Sequence, residues 1–256
     1  MSNSFETGLR KGMVRIGHFL EKAIGQAQKA KKSVELHGGI KPVLSLEARF
    51  SMEKLKQLID LAADRLVQSS IPSLSGKVVA EMGEASLRYW KGIQSKRPKL
   101  LCGFLVGNAP QEKVTPDVLL SRGSFKTLPF EDHFFHWAVA RLSTPMQGDV
   151  IGFFKELGRV LAPDGEALVV DYHPFGLFAK TGSARLRAVE ATIRGLEDYY
   201  KMSRVAGLTP VEVRECFFDD TLRGHFSSAE ELASFRDVKG TPLAIGLTLR
   251  KMRPTS

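Results

Sequence analysis

The sequence predicts an α/β fold, a largely parallel sheet covered by helices and preceded by a helical segment. Three observations carry this prediction. From about residue 76 onward, short apolar runs alternate with helical periodicities, the pattern of strands buried on both faces. Two amphipathic helical patterns come before them. At 256 residues, with 43% hydrophobic and 25% charged residues, the chain is long enough for a sizeable core.

The first helical pattern places Ile16, Phe19, Leu20, Ala23, Ile24 and Ala27 on one stripe, with Arg15, His18, Lys22 and Lys29 away from it. Gly38-Gly39 and Pro42 break the pattern. Ser51 is a candidate N-cap for a second helix carrying Leu55, Leu58, Ile59, Ala62 and Leu66. The polar stretch from Ser69 to Gly76 then divides a helical extension or cap, 1–75, from a domain at 76–256.

Strands are expected at Val78–Met82, Leu100–Val106, Val118–Leu120, Trp137–Ala140, Ala167–Val170, Val211–Phe218 and Leu243–Leu249. The clearest helix runs from Asp149 to Leu161 and stops at Pro163-Asp164-Gly165. Another runs from Leu186 to Ala206 and ends at Gly207. Ser228 and Glu231 have the spacing of a capping box.

Composition excludes a predominantly disordered chain, and two cysteines, Cys102 and Cys216, exclude a disulfide scaffold. No run approaches the roughly 18 apolar residues of a spanning helix, and no signal-peptide core is visible. The expectation is a cytoplasmic protein. The net charge of +9 is uneven: Lys and Arg outnumber Asp and Glu by nine within the first hundred residues, and the remainder is balanced. Such a flank suits an acidic partner, a nucleic acid or an anionic membrane surface.

Leu128-Pro129-Phe130-Glu131-Asp132-His133-Phe134-Phe135-His136 resembles the "LPFxDxxFD" segment of class I S-adenosylmethionine-dependent methyltransferases. Phe154-Lys155-Glu156-Leu157-Gly158-Arg159-Val160-Leu161-Ala162-Pro163-Asp164-Gly165 resembles their "ExxRVLxPGG" block, and Leu168–Phe175 their fifth strand and following loop. The blocks follow family order and spacing over residues 128–175. The later Leu196–Tyr200, Ala206–Leu208 and Val211–Glu215 segments resemble the type 11-like branch, with distant similarity to the malonyl-acyl-carrier-protein methyltransferase of biotin synthesis. The resemblance implies a Rossmann-like seven-stranded sheet, mostly parallel with the last strand antiparallel, and S-adenosyl-L-methionine as cofactor.

The cofactor positions are degenerate. Glu81 and Gly83 match the acid and first glycine of the pocket after the first strand, but Ala85 and Leu87 replace the second and third glycines. Leu105 stands where an acid would bond the ribose hydroxyls, with Asn108 the nearest polar substitute. Ser124 replaces the acid that reads the adenine amino group, and Phe125 is placed either to stack on adenine or to sit in the core. Glu84 can meet a cofactor amino group or face water.

Methyl transfer from a sulfonium is a direct displacement that needs alignment and, for most acceptors, a base. His173 is the candidate base and Arg141 the candidate clamp for an anionic acceptor; each has a structural alternative. His133 and His136 flank the "LPF" turn, and His136 is expected to be structural. The histidines and cysteines lack metal-ligand spacing, and Asp219-Asp220 reads as a turn, so no metal is expected.

Three functions remain open. One is a methyltransferase acting on a small molecule or acyl-carrier-bound acid, weakly active given the eroded pocket. Another is a catalytically silent fold acting as a binding or scaffold subunit. A third is membrane-surface or nucleic-acid binding through the basic N-terminal helix. Nucleic acid is not expected, and membrane contact ranks below capping or partner docking.

Overall fold

The computed structural model describes residues 50–83, 87–106, 118–143, 149–176 and 194–253, all within one unit, Leu44–Ser256. The expected helix at 16–27, together with Glu84, Ala85, Asn108 and the 186–193 part of the later helix, lies outside the described residues.

Helix α1 (Met52–Ser70) is capped by Ser51, whose side chain accepts from the Lys54 N–H. Its apolar stripe, Leu55, Leu58, Ile59, Ala62, Ala63, Leu66 and Val67, is buried. The following elements are β1 (Val78–Gly83), α2 (Trp90–Gln94), β2 (Leu100–Val106), β3 (Val118–Gly123) and β4 (Phe135–Arg141). Then come α3 (Val150–Val160), β5 (Leu161–Tyr172), α4 (Leu196–Val205), β6 (Leu208–Phe217), a 3₁₀ turn at Asp220–His225, α5 (Ala229–Val238) and β7 (Pro242–Lys251).

Seven strands form one sheet in the order β3-β2-β1-β4-β5-β7-β6. Neighbours from β3 to β5 run parallel, whereas β7 is antiparallel to both β5 and β6. The order reverses between β1 and β4, the place where open α/β sheets bind ligands beyond the strands' carboxyl ends. The chain therefore has the class I methyltransferase fold that the sequence blocks imply.

Each sheet face has its own core. Residues of α1, α2 and α5 pack on one face with Val79, Leu101, Trp137 and Leu168. Residues of α3 and α4 pack on the other with Ala80, Cys102, Ala138 and Val169. The boundary expected near residue 75 falls between α1 and β1, and the residues on its two sides share the first of these cores. No helix among the described residues is long and apolar enough to cross a membrane.

Ser228 and Glu231 form the expected capping box of α5, and Asp149, the expected start of α3, is its cap, accepting from Gly152 N. Gly207 ends α4 at φ +70, a left-handed conformation that costs glycine least. The family-like "ExxR" block is a clamp. Arg159 Nη2 donates to the Leu128 carbonyl at 2.9 Å, and Nη1 donates to the Phe130 carbonyl and to Asp132, both at 2.8 Å. Glu156 bonds the same guanidinium and accepts from Leu128 N at 2.8 Å. The motif thus fastens the Leu128–Asp132 turn to α3.

Candidate functional site

The carboxyl ends of β1, β2 and β4 collect most of the candidate residues. Glu81 is 3% exposed on β1. One carboxylate oxygen accepts from the backbone N–H groups of Arg88 and Tyr89, and the other, Oε2, has no hydrogen-bond partner among the described residues. Burial pushes its pKa up to about 7, against the pull of the N–H groups, which favour the anion. Glu81 therefore organises the turn leading into α2. Gly83 ends β1 opposite Leu105.

Leu105 is 3% exposed and belongs to the same apolar cluster as Leu87, Tyr89 and Ile93. Leu87 is 4% exposed and lies over β2, so that a Cβ added at Gly103 would collide with its Cδ1. Two of the positions that differ from the family pattern are thus filled by side chains that are themselves core.

Ser124 is exposed, and its hydroxyl accepts from Lys126 N at 3.2 Å. Phe125 is 1% exposed and packs on Phe153 and Phe104, with ring centroids 4.7 and 5.6 Å away. Of the two roles weighed for Phe125, the structure places it in the core.

Arg141 ends β4 and meets two carboxylates from α1. Its guanidinium pairs with Asp60, and Nε lies 3.0 Å from Asp64 Oδ1, off the N–H axis and so an ion-pair contact without a hydrogen bond. Arg88 reaches the same two acids at 3.6 and 3.2 Å, and the Tyr89 hydroxyl donates to Asp64 at 2.6 Å. Burial opposes the charge on Arg141, but Tyr89, Asp60 and Asp64 outweigh it and raise the guanidinium's pKa. As an anion clamp, Arg141 is already engaged.

His173 follows β5 and is 3% exposed. Its Nδ1 accepts from Phe175 N at 3.1 Å, so Nε2 carries the hydrogen and donates to Glu215 Oε1 at 2.7 Å. Both ring nitrogens are committed, leaving no lone pair for a proton from a methyl acceptor. Nearby Asp171, 1% exposed, accepts from the Tyr199 hydroxyl and from Tyr172 N, and burial pushes its pKa up to about 7. His136 accepts from Val78 N at 3.2 Å, and His133 lies 3.3 Å from the Leu161 carbonyl, positions that are structural. Asp219 caps the 3₁₀ turn, and among the described residues no group of three His, Cys, Asp or Glu side chains could hold a metal ion.

Asp60, Asp64 and Glu215 are the partners that sequence reasoning missed. Asp60 and Asp64 are four apart and so share one face of α1 beside its apolar stripe. That spacing was the available signal. Glu215 carries no comparable local mark.

The described residues are a poor match to an S-adenosylmethionine pocket. Ribose hydroxyls call for a polar acceptor, in the family pattern a carboxylate. Among the described residues at the end of β2 they would meet Leu105, and unpaired buried hydroxyls cost about 1–3 kcal/mol each.

No family model matches the sequence, and no curated protein matches it. Solved structures share the fold. An S-adenosylmethionine-dependent methyltransferase from Mesorhizobium loti superposes with a TM-score of 0.56 at 15% identity, covering 75% of this chain and 99% of that one. The structure of the Haloferax volcanii Trm112 methyltransferase activator in complex with a methyltransferase gives 0.57 at 16%, covering 84% and 100%. The [4+2]-cyclase SpnF gives 0.51 at 19%, covering 77% and 80%. Likeness at this level is likeness of fold.

Proposed function

We propose that this chain is a catalytically silent protein of the class I methyltransferase fold that acts as a binding or scaffold subunit. The observation that carries the reading is the burial of Leu87 and Leu105 in one cluster with Tyr89 and Ile93 at the ends of β1 and β2. The family pattern keeps a glycine and an acid at these positions for a nucleoside; here both carry leucines packed into the core. The commitment of Arg141 to Asp60 and Asp64, and of His173 to Glu215, supports the same reading. That one structure of this fold is a complex with an activator protein supports a role through protein contact. That another is a cyclase supports separating fold from methyl transfer.

Calorimetric titration with S-adenosylmethionine and S-adenosylhomocysteine tests this. No binding heat is expected up to millimolar ligand. A Kd below about 1 mM, a binding free energy beyond about −4 kcal/mol, would overturn it.

A second reading keeps the chain as a weak methyltransferase on a small molecule or acyl-carrier-bound acid. The retention of Glu81 and Gly83 at the end of β1 favours it. In that case the titration shows binding, and Glu81→Gln weakens it.

A further inference from the structure

At the opposite, amino edge of the sheet, the chain places a compact group of cations. From Leu87 to Val106 the sequence holds Arg88, Lys91, Lys96, Arg97 and Lys99 and no acid. Lys91, Lys96, Arg97 and Lys99 are exposed, and Lys77 is half-buried. Backbone bonds hold them together: Lys99 N donates to Lys77 O at 2.8 Å, Lys96 N to Ile93 O at 3.0 Å and Arg97 N to Gln94 O at 2.9 Å.

Two features separate this group from ordinary surface charge. Elsewhere, some exposed cations hold acids, Lys201 with Glu197, Lys239 with Asp220, Arg250 with Glu166 and Arg253 with Asp164, and others, such as Lys56, Lys126 and Lys155, stand singly on separate elements. Among the described residues no acid lies within ion-pair distance of Lys77, Lys96, Arg97 or Lys99, and Lys91 lies over the Trp90 ring. Second, Arg97 has φ +54 directly before Pro98. A side chain there is strained relative to a relaxed backbone, and glycine would relieve it. A strained arginine in an unneutralised cationic patch is an outlier of the kind that marks function.

We infer that this edge, centred on Lys96, Arg97 and Lys99, docks an acidic surface of a partner protein. The inference deepens the binding-subunit reading by naming the partner's chemistry. A protein is favoured over a nucleic acid for two reasons. A polyphosphate backbone is tracked by a long basic groove, whereas residues 101–256 carry balanced charge. Stacking on bases needs an open aromatic face, whereas Trp90 is half-buried and carries Lys91.

The test is fluorescence anisotropy of a labelled glutamate-rich peptide with the full-length chain at low salt, beside a labelled duplex DNA and a single-stranded RNA. The peptide is expected to bind, more weakly as salt rises. Combined Lys96→Gln, Arg97→Gln and Lys99→Gln should weaken it about tenfold, and Lys56→Gln, Lys126→Gln and Lys155→Gln, an equal loss of charge elsewhere, by less than about twofold. Arg97→Gly alone should weaken binding while raising Tm by about 2–4 °C. Absence of peptide binding, equal weakening by both triple variants, tighter binding of either nucleic acid, or a lowered Tm for Arg97→Gly would overturn the inference. Cofactor titration reads the other end of the sheet, so failure of the silent-fold reading registers there and failure of the docking surface registers here.

Discussion

His173 Nε2 lies 2.7 Å from Glu215 Oε1, joining the loop after β5 to the edge strand β6. The contact spans 42 positions in sequence and crosses β7, which sits between the two strands. A buried imidazole with both nitrogens bonded is a structural pin. His173→Ala should cost about 1–3 kcal/mol in urea denaturation, because it leaves Phe175 N and Glu215 without their partner. Glu215→Gln, whose amide oxygen still accepts from Nε2, should cost under about 1 kcal/mol. Unchanged stability in His173→Ala would return the residue to the list of candidate bases.

The Arg159 clamp should be equally visible. Its guanidinium serves two carbonyls and two carboxylates in a fixed fork that an ammonium cannot reproduce. Arg159→Ala is expected to lose about 2–4 kcal/mol, and Arg159→Lys to recover less than half of that. The midpoint of thermal unfolding checks both, since each kcal/mol moves Tm by about 2–4 °C at this size.

Leu87 and Gly103 should be coupled. Gly103→Ala drives a methyl into Leu87 Cδ1, which is buried and has little room to yield, so a loss of about 1–3 kcal/mol is expected. Leu87→Ala alone should lose about 2–5 kcal/mol. Together they should lose less than the sum, because the new methyl occupies space that Leu87 vacated. An additive double-mutant cycle would mean that Leu87 does not fill the gap over β2. Leu105→Asp belongs to the same test: an acid in that cluster should destabilise the fold by about 3 kcal/mol or more.

Stability should fall as pH rises from about 4.5 to about 7. Glu81 and Asp171 both have folded pKa values raised to about 7, from 4.5 and 3.8, chiefly by burial. Between those limits the unfolded chain has released both protons while the folded one retains them, so each rise in pH favours unfolding. Above about pH 7 both states are ionised and this slope ends. Asp132, Glu156 and Glu231 act in the reverse sense at lower pH. Hydrogen bonds from Arg159 depress Asp132 and Glu156, and those from Ser227 and Ser228 depress Glu231, so their stabilisation is lost as pH falls through their folded pKa values. Urea midpoints at pH 5.5 and 7.5 should differ in favour of the lower pH, and the combined Glu81→Gln and Asp171→Asn variant should narrow the difference.

The strands and their mostly parallel sense were legible because fully buried strands are near-continuous apolar runs and the Leu128–Phe175 blocks resemble the middle of a known sheet. Ser51 and Ser228 were legible as caps because a cap bonds three residues ahead, whereas Asp149, read as the start of the helix, is its cap. The chemistry at Arg141 and His173 was not. Whether a guanidinium or imidazole is free depends on a partner far away in sequence: Asp60 lies 81 positions before Arg141 and Glu215 lies 42 after His173. Leu105 illustrates the converse. Its mismatch to an acid was visible at once, but its burial beside Leu87 needed the packing of β2 against the turn after β1.

Helix α1 is held by the far end of the chain. Lys54 donates to the His225 carbonyl, Arg65 to Thr221, and Arg214 to the Ser69 carbonyl at 2.9 Å, across 171, 156 and 145 positions. Made early on the ribosome, this helix finds its seat once β6, the 3₁₀ turn and β7 have emerged. Until then its Leu55–Val67 stripe stays uncovered by them. Contacts of such long range slow folding and prolong exposure of apolar surface, so the nascent chain carries an adhesive helix until those later elements are made.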